Sequence, residues 1–133
     1  MAGETNLDEL VRSMSARLVD GLYVFVTVGS GQVPDDLTPR MVFEEAEGTT
    51  LIVLKSEAER LRLSYEFPCR MITLNIHSSL EAVGFMARIS SELAKHEMGV
   101  NPVSGFFHDH LFVPDGREED AMRVLNELAA AGT

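Results

Sequence analysis

Apolar residues recur at helical spacing near the start of the chain, at Leu7, Leu10, Val11, Met14 and Leu18, with Asn6 or Thr5 placed to cap the first turn. This predicts a short amphipathic helix. The period then changes. "GLYVFVTV" (21–28) is dense in β-branched and aromatic residues and precedes a Gly/Pro/Asp-rich run over 29–39. A buried strand followed by a loop is predicted, with one helical turn around Asp35 to Leu37. "RMVFEEAEGTTLIVLK" (40–55) holds two strand-like runs meeting at Glu47–Gly48, where glycine can supply the positive φ of a tight hairpin turn. Ser56 is placed to cap a two-turn helix over 56–63. In "CRMITLNIHS" (69–78), Ile72, Leu74 and Ile76 alternate with Met71, Thr73 and Asn75. That alternation predicts a strand with one face in the core and the other wet or set against a partner.

The longest helical pattern is "SSLEAVGFMARISSELAKHEM" (78–98), with serine caps, a stripe at Ala82, Phe85, Met86, Ile89 and Leu93, and a stop at Gly99. Two strand-like runs, "VNPVSGFF" and "HLFVP", follow. A last helix carries Ala121, Val124, Leu125, Leu128 and Ala129 on one face. From residue 69 the order is strand, helix, strand, strand, helix, which is five of the six elements of a ferredoxin-like βαββαβ unit. Without a sixth strand the sheet would keep an unpaired edge, and the strand at 21–28 is the expected donor. The hairpin at 40–55, the helix at 56–63 and a borrowed strand make a smaller copy of the same unit. The predicted fold is α+β: tandem, interlocked ferredoxin-like units over 1–68, with the N-terminal helix, and 69–133, with strands exchanged between them.

Composition narrows the function. The formal net charge is −10 and no basic run or basic–aromatic stripe occurs, so nucleic acid and anionic membrane are poor partners. Cys69 is the only cysteine, which excludes an internal disulfide and a cysteine zinc site and suits a small buried residue. "MAGETNLDEL" lacks a basic n-region and an apolar h-region, and no apolar run approaches the ~20 residues that cross a bilayer. A cytoplasmic protein is expected. Gly29–Ser30–Gly31 is too short for a phosphate-cradling loop and lacks its lysine, and no cofactor motif is evident.

The chemistry concentrates in "VSGFFHDHLFVP" (103–114) and in the amino end of the long helix. Unpaired N–H groups at a helix start carry partial positive charge and suit a carboxylate. Asp109 suits an ammonium or guanidinium, so together they describe a site for an amino acid. The competing reading is that Ser78 and Ser79 only cap and Asp109 only satisfies its own hairpin. His108 and His110 share a strand face and, with His77, could share a metal; otherwise they line a pocket wall or cover the sheet edge. Alternation suggests that one of Phe106 and Phe107 stacks on a ligand and the other enters the core. Glu44, Glu45 and Glu47 read as a solvated hairpin face. No nucleophile accompanies the histidines, so binding is favoured over catalysis.

"HSSLEAVGFMARISSELAKHEMGVNPVSGFFHDHLFVP" (77–114), with "PRMVFEEAEGTTLIV" (39–53), resembles the ACT-domain proteins of the small tandem kind. These are similar to the paired regulatory ACT modules of aspartate kinases and the ACT repeats of cytosolic arginine sensors. The resemblance covers the chain from residue 18 onward and is more specific in the second half. It implies a small-molecule site, most often for an amino acid, formed at an interface between ACT units by the loop after the first strand and the facing hairpin. Here those segments supply His77, Ser78, Ser79, Glu81, Ala82, Val83 and Gly84, and Ser104, Gly105, Phe106, His108 and Asp109. Gly84 stands at the family's glycine in the first helical turn, Ser104 at the hairpin serine and Asp109 at the acid before the last strand. Gly105, Phe106 and His108 differ from the arginine-sensor pattern. The resulting expectation is a non-catalytic regulatory protein without cofactor or metal that binds an amino acid and forms a homodimer or higher homo-oligomer. The alternatives are a ligand-free assembly module and a histidine-based metal protein.

Overall fold

The computed structural model describes residues 6–76 and 82–131. The chain divides into two compact units. Gly21–Cys69 forms a central unit, and residues 1–20 together with 70–133 form a terminal unit.

In the central unit, β2 (Tyr23–Val28) pairs antiparallel with β4 (Thr49–Leu54), which pairs antiparallel with β3 (Met41–Glu44). The β3–β4 turn is the predicted hairpin, closed by Glu45 N–H donating to the Gly48 carbonyl at 2.8 Å. A short helix, α2 (Lys55–Arg60), leads to β5 (Glu66–Leu74), whose first residues return to pair with β2 through Tyr23↔Cys69 and Phe25↔Glu66. The register slips once there, at Phe67, which has a φ of 56°. The strand order β3–β4–β2–β5 is that of a βαββαβ unit, with its first helix replaced by the loop after β2. Leu37 drops from this loop into the core among Val24, Val26, Leu51, Val53 and Ala58. These strand positions alternate along β2 and β4, as expected for a sheet with one buried face. Around Asp35 the chain makes a turn closed by Leu37 N–H to the Pro34 carbonyl at 3.2 Å, where a helical turn was expected. Arg60 ties α2 to the loop, donating to Asp36 at 2.9 Å and Glu57 at 2.8 Å.

The terminal unit takes α1 (Leu7–Ser13), β1 (Ala16–Leu18), the last residues of β5, α3 (Phe85–Ala94), β6 (Asn101–Ser104), β7 (Asp109–Pro114) and α4 (Glu118–Ala131). Its strands lie in the order β1–β5–β7–β6. Counted from β5, this is again the βαββαβ arrangement, with β1 as its last strand. The helices pack on one face, burying Leu10, Val11, Phe85, Ile89, Leu93 and Leu125 against Ile72, Leu74, Leu111 and Val113. Asn6 caps α1 through its side-chain oxygen, 3.1 Å from Glu9 N.

The expected division at 68/69 falls inside β5, whose end pairs with β1 through Ala16↔Leu74 and Leu18↔Ile72. Tyr23–Val28 pairs with the start of β5 inside the central unit. Leu18, placed on the first helix by its spacing, belongs to β1 because the backbone turns extended at Met14. Ser56 does not cap α2, which starts one residue earlier and has Leu54 at its N-cap. Met71 and Thr73, expected on a face of β5 that is wet or set against a partner, are both buried within the chain. Cys69 is fully buried, as expected.

Two measurements follow from this packing. A Cβ at Gly48 would lie 2.6 Å from the Val28 carbonyl oxygen, a backbone atom that cannot move aside alone. Gly48→Ala is expected to lower unfolding free energy by about 1–3 kcal/mol in urea denaturation. The hydrogen bond from Arg60 also holds the Asp36 and Glu57 carboxyls below their ordinary range. Depressed folded values mean that this contribution is present above the ordinary carboxylate range and is lost as pH falls through the depressed values. Carbon-detected NMR titration should show both carboxyls moving back toward about 4 in Arg60→Gln.

Candidate functional site

The β6–β7 hairpin places Ser104 directly across from Asp109. Asp109 is 7% exposed, and Ser104 Oγ donates to its Oδ1 at 2.6 Å. This short bond fits a charge-assisted pair. Gly105 N–H donates to the His108 carbonyl at 2.9 Å and closes the turn. Strand alternation puts Asp109 on the side of Leu111 and Val113, toward the helices, and His110 on the other. There His110 Nδ1 lies 3.0 Å from the hydroxyl of buried Thr73. His108 Nδ1 is buried and has no hydrogen-bond partner among the described residues.

Phe106 and Phe107 fall in the turn, not on a strand, so the expected alternation between ligand and core does not occur. Both are exposed, at 73% and 67%, with their rings edge to face. The His108 and His110 rings stand 6.5 Å apart and nearly perpendicular. Among the described residues no three His, Cys, Asp or Glu side chains form a metal-ligating group.

The amino end of α3 differs from the sequence expectation. Gly84 is its N-cap with φ 89°, so the right-handed helix begins at Phe85; the expected start at Ser78 lies outside the described residues. A left-handed φ is costly for any residue with a Cβ, and that is the reason for glycine here. Close approach is not the reason, because a Cβ would meet only Leu7 Cδ2 at 3.6 Å. Ala82 is half-buried and Val83 is 84% exposed. His77, Ser78, Ser79 and Glu81 lie outside the described residues. Gly84 opens onto a groove of about 560 Å³ whose walls are Ala87, Arg88, Ser91, Glu92, Lys95 and Leu128. Neither Ser104 nor Asp109 lines it.

The structure therefore brings Ser104 and Asp109 into contact, keeps His108 in the same turn, and assigns Gly84 to a groove between α3 and α4. Arg88, Glu92 and Lys95 were not anticipated. Their signal was three charged residues on one exposed helical side, and Glu92 and Lys95 do pair at 2.8 Å.

Two ferredoxin-like units in one short chain, each with a polar turn or loop at a sheet end, define a class of small two-unit modules. The chain matches family models for the ACT domain over residues 2–70 and again over residues 66–127. It belongs to the ACT-domain family, whose tandem members are regulatory, ligand-binding modules. Among solved structures it is similar to VC0802 of Vibrio cholerae, a protein of unknown function described as a possible transport protein. The identity is 38% and the TM-score 0.84, covering 92% of this chain and 95% of that one. Atu0741 of Agobacterium tumefaciens shares 15% identity at a TM-score of 0.70, covering 87% and 89%. The ligand-free regulatory subunit of aspartate kinase from Thermus thermophilus shares 10% at a TM-score of 0.62, covering 85% and 95%. The last two likenesses establish the fold. A comparison with curated proteins finds no match.

Removing the hydroxyl in Ser104→Ala takes one donor from the buried Asp109 carboxyl. Chemical denaturation should show a loss of about 1–2 kcal/mol, with Ser104→Thr largely restoring it.

Proposed function

We propose that this protein is a non-catalytic regulatory module that binds an amino acid at the hairpin of its terminal unit. The observation that carries the proposal is the buried His108 Nδ1, without a hydrogen-bond partner among the described residues, in the turn that also holds the Ser104–Asp109 pair. Buried polar atoms are nearly always satisfied, so an open position in a polar turn calls for a ligand group. Asp109 would accept from the ligand's ammonium, with Ser104 holding the carboxylate in place and Gly105 and Phe106 flanking it. Ala82, Val83 and Gly84, expected in the same site, lie at the start of α3, where Gly84 opens onto a groove that neither Ser104 nor Asp109 lines, so the proposed site is confined to the hairpin. His77, Ser78, Ser79 and Glu81 enter the proposal through the sequence alone. Family membership supports the ligand-binding reading.

A second reading, a homo-oligomeric assembly module without a ligand, is favoured by the exposed Phe106–Phe107 pair. Met71 and Thr73, on the β5 face read from the sequence as wet or set against a partner, are buried within the chain and lend this reading no support. Among the described residues no helix is long and apolar enough to cross a membrane, and a cytoplasmic location belongs to the proposal.

Isothermal calorimetry of the folded protein against the twenty amino acids is expected to give saturable binding for at least one. Asp109→Asn should weaken it at least tenfold, about 1.4 kcal/mol or more. Silence across the set, together with a concentration-dependent sedimentation coefficient, would favour the assembly reading.

A further inference from the structure

The central unit holds a cavity of about 470 Å³ lined by Tyr23, Thr38, Pro39, Arg40 and Leu54. It sits where β2 and β3 begin and β4 ends, in a unit that contains none of the residues proposed above to bind an amino acid. Its size is within the range of small-molecule sites. We propose that this cavity is a separate site for a small organic carboxylate with a short hydrocarbon tail, built on Arg40.

The backbone fixes where the charge stands. Arg40 N–H donates to the Ile52 carbonyl at 2.7 Å, so the residue is anchored at the edge of the sheet. Its side chain reaches Tyr23, with Nη2 donating to the phenol oxygen at 2.7 Å and Cζ 5.5 Å from the ring centroid. Tyr23 is itself 5% exposed and lies opposite Leu54 in the strand register. The wall behind is tight, because a Cβ at Gly21 would come within 3.0 Å of Leu54 Cδ2.

Among the described residues the charge on Arg40 has no carboxylate partner. The chain has 21 acidic and 11 basic residues, so acidic partners are plentiful. Arg12, Arg60, Arg70, Arg117 and Arg123 each stand beside a carboxylate, whereas Arg17, Arg62 and Arg88, like Arg40, have none within 4.0 Å among the described residues; of these, Arg40 lines this cavity. Among the described residues no carboxylate comes within 4.0 Å of Arg40, and its side-chain partner is a neutral phenol. A guanidinium has five N–H donors in a planar fork that matches a carboxylate in bidentate fashion. The Tyr23 contact orients that fork without neutralising it. Leu54 and Pro39 offer apolar wall for a hydrocarbon tail, and Thr38 adds a hydroxyl at the mouth. Acidic groups farther than about 8–10 Å from a bound anion are screened at physiological salt and oppose it only weakly.

The test is an NMR titration of the full chain with 4-methylpentanoate, its neutral amide 4-methylpentanamide, and inorganic phosphate. Saturable shifts are expected with the carboxylate at the Thr38, Arg40 and Leu54 amides and the Arg40 Nε, with an affinity in the millimolar range. The amide should produce none of them. Arg40→Gln, which changes an exposed side chain, should weaken binding at least tenfold, and Arg40→Lys should fall between. Tyr23→Phe, which keeps the ring, should weaken it several-fold. The proposal is overturned by the absence of saturable shifts in folded protein, by an equal response to the amide, or by unchanged binding in Arg40→Gln and Arg40→Lys. Tighter binding of phosphate would overturn the carboxylate assignment. Asp109→Asn should leave these shifts untouched, which separates failure of this site from failure of the amino-acid reading.

Discussion

The fold depends on β5. This nine-residue strand pairs first with β2, through Tyr23↔Cys69 and Phe25↔Glu66, and then with β1, through Arg17↔Thr73 and Leu18↔Ile72. Each ferredoxin-like unit needs a fourth strand to cover an edge that would otherwise present unpaired N–H and C=O groups. The central unit obtains it from the start of β5, the chain's own next element. The terminal unit obtains it from the segment just before the central unit begins. Burial of Met71, Ile72, Thr73 and Leu74 together reflects a strand enclosed on both faces. A hydrophobic run with one hydroxyl is therefore what β5 requires, and Thr73 satisfies that hydroxyl on His110.

The two units use the same topology with unequal equipment. The terminal unit covers its sheet with α1, α3 and α4, and its core carries Phe85 and a set of leucines. The central unit has one short helix and a loop, and Leu37 supplies the apolar contact that a full helix would give. The loop is held by the Arg60 bridge to Asp36, an exposed contact of small energetic value. Apolar burial of Leu37 therefore does more to fix the loop than the ion pair does.

Polar groups gather at turns in both units, and the burial of their partners separates structural from functional roles. Ser104 and Asp109 satisfy each other, so that pair could exist for the hairpin alone. His108 Nδ1 does not have that explanation, and neither does the charge on Arg40. Among the described residues, His108 Nδ1 has no hydrogen-bond partner and no carboxylate stands within 4.0 Å of Arg40. Glu44 and Glu45, by contrast, are satisfied by Thr49 and Thr50 across their own hairpin.

By itself the sequence determined most of the elements. Runs of β-branched and apolar residues located β2, β4 and β7, alternation located β5, the Glu47–Gly48 turn located the first hairpin, and the stripe through Phe85, Ile89 and Leu93 located α3, because these patterns are local. The family was legible for the same reason, carried by the run 77–114. Tertiary structure alone decided the strand donor, since β1 is three residues long and its Leu18 also fits the helical spacing of α1. It decided the start of α3, where backbone conformation at Gly84 overrides a continuous helical pattern. It also brought Tyr23, Arg40 and Leu54 around one cavity, since strand pairing joins residues that no spacing along the chain relates.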